Sequence, residues 1–106
     1  MHREQRRQLL NDICDACERR WLPTANTVEL HAVTESHASS YGLNCYIWDG
    51  SDKLGDAVFR HTNPDITPTI VGSVLHEAAE EAGLEVDGPL RREISNIFEG
   101  VGDECE

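Results

Sequence analysis

The residues from Thr67 to Leu84 constrain this chain most, because they read as a capped amphipathic helix and as little else. Thr67 offers a side-chain oxygen for the N-cap, and Pro68 at the first helical position gives up an amide that would lack a partner anyway. Ile70, Val71, Val74, Leu75, Ala78 and Ala82 recur at three- and four-residue spacing and make one apolar stripe. Gly83 can take the left-handed conformation that closes a helix, with Leu84 behind it as the hydrophobic cover. The opposite face carries Ser73, His76, Glu77, Glu80 and Glu81. Glu80 and Glu81 fall near the C-terminal end, where the helix dipole disfavours negative charge by roughly a few tenths of a kcal/mol each. Apart from glutamate's good helix propensity, stability does not select them.

The rest of the chain arranges itself around this helix. Arg3 to Arg20 reads as a first helix, with Leu10, Ile13, Cys14, Cys17 and Trp21 on one stripe and Pro23 as its stop. Val28, Leu30, Ala32 and Thr34 alternate with Glu29, His31, Val33 and Glu35 as a half-buried strand, and Ser36 to Ser40 turn the chain. Tyr41, Leu43, Cys45 and Ile47 alternate with Gly42, Asn44, Tyr46 and Trp48 as a second strand. Asp49-Gly50-Ser51-Asp52 is turn chemistry, and a third strand runs from Leu54 to His61. Asn63-Pro64-Asp65 breaks the chain before the central helix. A last helix begins at Asp87-Gly88-Pro89 and carries Leu90, Ile94, Ile97, Phe98 and Val101 on its apolar side. The tail from Gly102 to Glu106 reads as acidic and frayed. Short turns between consecutive strands predict an α+β fold: a three-stranded antiparallel meander with one helix before it and two after, packed on one face. At 106 residues, 1–106 forms a single domain.

Charge excludes more than it identifies. The formal net charge is −11. Residues 1–20 hold five basic and four acidic side chains, whereas residues 21–106 hold four basic and sixteen acidic ones. Such a field repels nucleic-acid phosphates and anionic membranes, so direct binding to either is not expected, and a basic protein partner is. The chain has no long apolar run and its first residues lack a signal-peptide core, which points to a cytoplasmic protein, with reduced cysteines.

Three patterns carry candidate chemistry. His76-Glu77-Ala78-Ala79-Glu80-Glu81-Ala82-Gly83-Leu84 resembles the second half of the Nudix signature, whose glutamates hold a divalent cation against a nucleoside diphosphate. That resemblance implies a Mg-dependent hydrolase using Glu77, Glu80 and Glu81. It covers nine residues: His76 stands where the family has arginine, and Thr62 and Pro68 stand where it has glycine and glutamate. Cys14 and Cys17, taken with His31 and His37, have a zinc-like spacing, but both cysteines lie on the apolar stripe of the first helix, where free thiols are ordinary core residues. Tyr46 and Trp48 lie on the strand face opposite Leu43, Cys45 and Ile47, either exposed toward a partner or packed under the first helix.

The reading that follows is a small acidic interaction module without a cofactor. It is expected to be an inhibitor or nucleic-acid-mimicking decoy for a basic, nucleic-acid-handling protein, of the kind found among phage anti-CRISPR and anti-restriction proteins. Glu77, Glu80, Glu81, Glu85, Asp87, Tyr46 and Trp48 form the expected partner surface. The alternative is a structural or housekeeping protein of a salt-adapted organism or its virus, in which acidity serves solvation.

Overall fold

The computed structural model describes residues 3–34, 41–61 and 66–104. Helix α1 spans Arg3–Trp21, strands β1, β2 and β3 span Thr27–Thr34, Tyr41–Asp49 and Asp52–His61, and helices α2 and α3 span Pro68–Ala82 and Gly88–Glu104. The strands form one antiparallel sheet in the order β1-β2-β3, as the short turns require. No described helix is long and apolar enough to cross a membrane.

Both ends of α2 are made as the sequence dictates. The Thr67 side chain accepts from the Ile70 amide at 3.3 Å, and Gly83 takes the left-handed conformation at φ 75° and ψ 24°. The Leu84 amide then reaches back to the Ala79 carbonyl at 2.7 Å, closing the helix with the wrapped hydrogen bonds of a glycine cap. The last helix starts on Asp87, whose Oδ1 accepts from the Leu90 amide at 3.0 Å. It extends through Glu104, past Gly102, and residues 105–106 of the acidic tail lie outside the described residues.

One face of the sheet is covered and the other is open. Alternation along β2 buries Leu43, Cys45 and Ile47 and leaves Asn44, Tyr46 and Trp48 on the far side. Helix α1 lies against β1, α2 lies against β3 and β2, and α3 joins the two by packing on α1 and more lightly on α2. Leu9, Ile13, Ala16 and Cys17 of α1 and Val71, Val74, Leu75 and Ala78 of α2 close over Leu43, Cys45 and Ile47, and Leu90 and Ile94 of α3 extend the same aliphatic core behind the two helices. Among the described residues no polar or charged side chain is buried.

Two contacts set the spacing of these layers. At Gly55 of β3 the α2 backbone comes so near that an added Cβ would lie 2.3 Å from the Ala78 carbonyl oxygen and 3.2 Å from the Ala82 Cβ. Only glycine lets helix and strand approach that closely. At the other edge of the sheet, α1 covers β1. Glu18 accepts from the Val28 amide at 2.8 Å, and the Leu30 backbone hydrogen-bonds the Cys14 sulfur. Residues four apart on a helix and two apart on a strand are spaced alike, so one row of α1 satisfies two outward amides of an edge strand. Trp21 then anchors the following loops, its indole N–H donating to the Glu85 carbonyl at 2.9 Å.

Gly55→Ala is expected to destabilise the protein by about 1–3 kcal/mol, because the new methyl forces α2 off β3. Urea denaturation of the two forms measures it, and an unchanged midpoint would show that the layers have slack at this point.

Candidate functional site

The acidic side chains divide into those the fold uses and those it does not. Arg20 pairs with Asp87, which also caps α3, and Arg19 pairs with Glu93. The Arg20 guanidinium, with the Leu90 amide, holds the Asp87 carboxyl below the usual carboxylate range. Asp87, expected in the partner surface, thus joins α1 to α3 and is half-buried. Glu18 is committed to the Val28 amide, while Glu29 gives one oxygen, Oε2, to the Trp48 indole and stays partly exposed. By contrast, Glu77, Glu80, Glu81 and Glu85 are exposed along the C-terminal half of α2 and the connector behind it. Among the described residues Glu77 and Glu81 form no ion pair, and Glu80 has the His76 imidazole at 3.4 Å. The apolar side of α2 is spent on β3, β2 and, more lightly, α3, so this glutamate face is free to meet another molecule.

Tyr46 and Trp48 do not pack under α1. They lie half-buried on the open face of the sheet, on the far side from the α2 glutamates. The structure therefore separates the expected surface into two patches, with Lys53 near their common border. Lys53 pairs with Asp56 at 2.6 Å, and this carboxylate, with a smaller effect from Glu81, holds its ammonium pKa above the usual value.

The open face has an order that spacing along one strand does not reveal. Register places Glu29, Tyr46 and Asp56 in one row across the three strands. The Trp48 indole N–H donates to Glu29 Oε2 at 2.8 Å, and the His31 imidazole lies against the Tyr46 ring with centroids 6.0 Å apart and a tilt of 51°. Sequence reasoning singled out the two aromatics and missed Glu29, Asp56 and Lys53 beside them. Aligning the alternation patterns of neighbouring strands would have brought these residues to the same face.

The zinc-like set does not converge. Cys14 and Cys17 are buried between α1 and the sheet, His31 is exposed on the opposite face, and His37 lies outside the described residues. Among the described residues no three His, Cys, Asp or Glu side chains come together as metal ligands, Glu77, Glu80 and Glu81 included. A groove of about 810 Å³ lies elsewhere, between α1 and β1, with Arg6, Arg7, Asp15, Glu18 and Glu29 among its lining residues.

Cys14, Cys17 and Cys45 instead form a thiol cluster in the core. Burial pushes Cys14 and Cys45 up to about 12 and raises Cys17 further, with Cys14 adding to the penalty on both other thiols and Cys45 to that on Cys17. These thiols keep their protons where an unfolded cysteine, near 9, has lost its own. The folded state then binds more protons than the unfolded one, so stability is full below pH 9 and falls as pH rises from there toward 12. Each thiol contributes at most about 1.4 kcal/mol per pH unit to that slope. Thermal melts between pH 8 and 11 are expected to show a steep loss above pH 9, and thiol reagents at pH 8 are expected to leave all three unmodified until the chain unfolds. No protein-family model, curated protein or solved structure matches the chain.

Proposed function

We propose that this chain is a small acidic interaction module that binds a basic, nucleic-acid-handling protein, its carboxylates standing in for phosphates. The observation that carries this reading is the glutamate face of α2. Glu77, Glu80 and Glu81 are exposed, lack guanidinium or ammonium partners at ion-pair distance among the described residues, and sit where the dipole of their own helix disfavours two of them. The two ends of α2 are made for folding, by the Thr67 cap and the Gly83 closure. Charge kept against the local preference of the helix fits recognition of a cationic surface. The resemblance to a phage anti-defence decoy rests on size and charge alone.

A second reading has its own support. Exposed acids also occur far from α2: Asp15 on α1, Asp49 and Asp52 at the β2–β3 turn, and Glu99 on α3. Dispersal over several elements suits a protein solvated in concentrated salt. Unfolding curves separate the two. A decoy is expected to fold in dilute buffer, whereas a salt-dependent protein is expected to unfold cooperatively only in molar salt.

The binding experiment is an affinity capture from cell lysate, repeated from about 50 to about 500 mM salt, a range over which exposed charge pairs become screened. The captured basic protein is expected to elute as salt rises, and Glu77→Lys combined with Glu80→Lys and Glu81→Lys is expected to abolish capture without lowering the melting temperature. Capture that survives both high salt and the triple reversal would remove the glutamate face from the interface.

A further inference from the structure

The open face of the sheet holds a second feature that the α2 glutamates do not explain. Tyr46 is flanked in register by Glu29 on β1 and Asp56 on β3, side chains that cross-strand geometry sets about 5 Å from it at Cβ. Trp48, two residues along the same strand face, is fixed by its bond to Glu29, and His31 bears on Tyr46 from the other side. Both carboxylates remain partly exposed, 41% for Glu29 and 40% for Asp56, and Val58 beside them is 52% exposed. A ring with a carboxylate on each side and a second aromatic next to it suits a cation that can stack and accept two anions at once.

We propose that the row Glu29–Tyr46–Asp56, with Trp48 as its side wall, is a binding site for an arginine side chain of the basic partner. The inference rests on the reading of the chain as an acidic interaction module and names a contact the partner would use. A guanidinium is planar, so it can lie on the Tyr46 ring while its N–H groups reach the carboxylates; an ammonium offers only a point charge. Lys53 is the single lysine of the chain, and its ammonium already sits on Asp56, while its backbone lies opposite Trp48 in register. It acts as a resident cation that an incoming arginine displaces from that carboxylate. The half-exposed Trp48 reports on the event, since Trp21 is buried in the core.

The test titrates the full chain with an oligoarginine peptide and with matched oligolysine and oligoglutamate peptides, following tryptophan fluorescence and amide shifts. Oligoarginine is expected to give a saturable signal that Trp48→Phe removes, to shift the amides of Glu29, Tyr46 and Asp56, and to bind more tightly than oligolysine. Tyr46→Ala is expected to weaken it about tenfold, within the range of a partly desolvated cation–π contact. Glu29→Gln, which keeps an acceptor for the indole, is expected to weaken it while leaving the melting temperature unchanged. Lys53→Ala is expected to tighten it roughly threefold, the scale of an exposed ion pair. If oligoarginine binds but Tyr46→Ala and Glu29→Gln change nothing, while charge reversal on α2 abolishes binding, the arginine site falls and the acidic module stands. If neither cationic peptide binds, both fall.

Discussion

The approach of α2 to β3 at Gly55 is the constraint on which the rest of the structure depends. With no side chain at that point, the helix settles onto the strand at backbone distance. Val71, Val74, Leu75 and Ala78 then reach the core, and the opposite side of α2 is held out in solvent. A small aliphatic core with few aromatic side chains has little bulk to fill a wider gap. Close approach replaces bulk.

The same economy governs the edge of the sheet. An exposed edge strand invites pairing with other chains. Along the first half of β1 that risk is met from within, since Glu18 and Cys14 of α1 take up the Val28 and Leu30 amides. Cys14 also belongs to the buried thiol cluster. Its sulfur therefore serves packing and edge protection together. The open face of the sheet is left as the surface where aromatic and acidic side chains sit side by side.

Much of this was legible in the sequence, and the limits have physical causes. The ends of α2 were readable because caps are local chemistry: Thr67, Pro68 and Gly83 each act within a turn of their own position. The three strands were readable from alternation and from the turn at Asp49–Asp52. That Asp87 would be drawn into α1 was not, because its partner Arg20 lies 67 residues away. Neither was the row through Tyr46, since cross-strand register depends on how three segments align and on the irregularity between Ile47 and Trp48. The cysteines and His31 were separable for a local reason: the helical stripe put Cys14 and Cys17 inward, and strand alternation put His31 on the face opposite.

Helix α3 has one further property. It rests on α1 and α2, away from the sheet, and among the described residues its polar ties gather at its beginning: Asp87 to Arg20, Glu93 to Arg19, Arg91 to the Val86 carbonyl, and the Glu85 carbonyl just before it to Trp21. Leu90 and Ile94 are buried, whereas Ile97 and Phe98 are only partly covered. The helix is pinned like a clasp at one end. Amide hydrogen exchange should therefore run as a gradient, slow near Leu90 and faster toward Gly100, and the second half of α3 can open without disturbing the sheet. The outermost layer is thus the least cooperative with the rest of the protein, and the face formed by β1, β2 and β3 keeps its shape when that layer loosens.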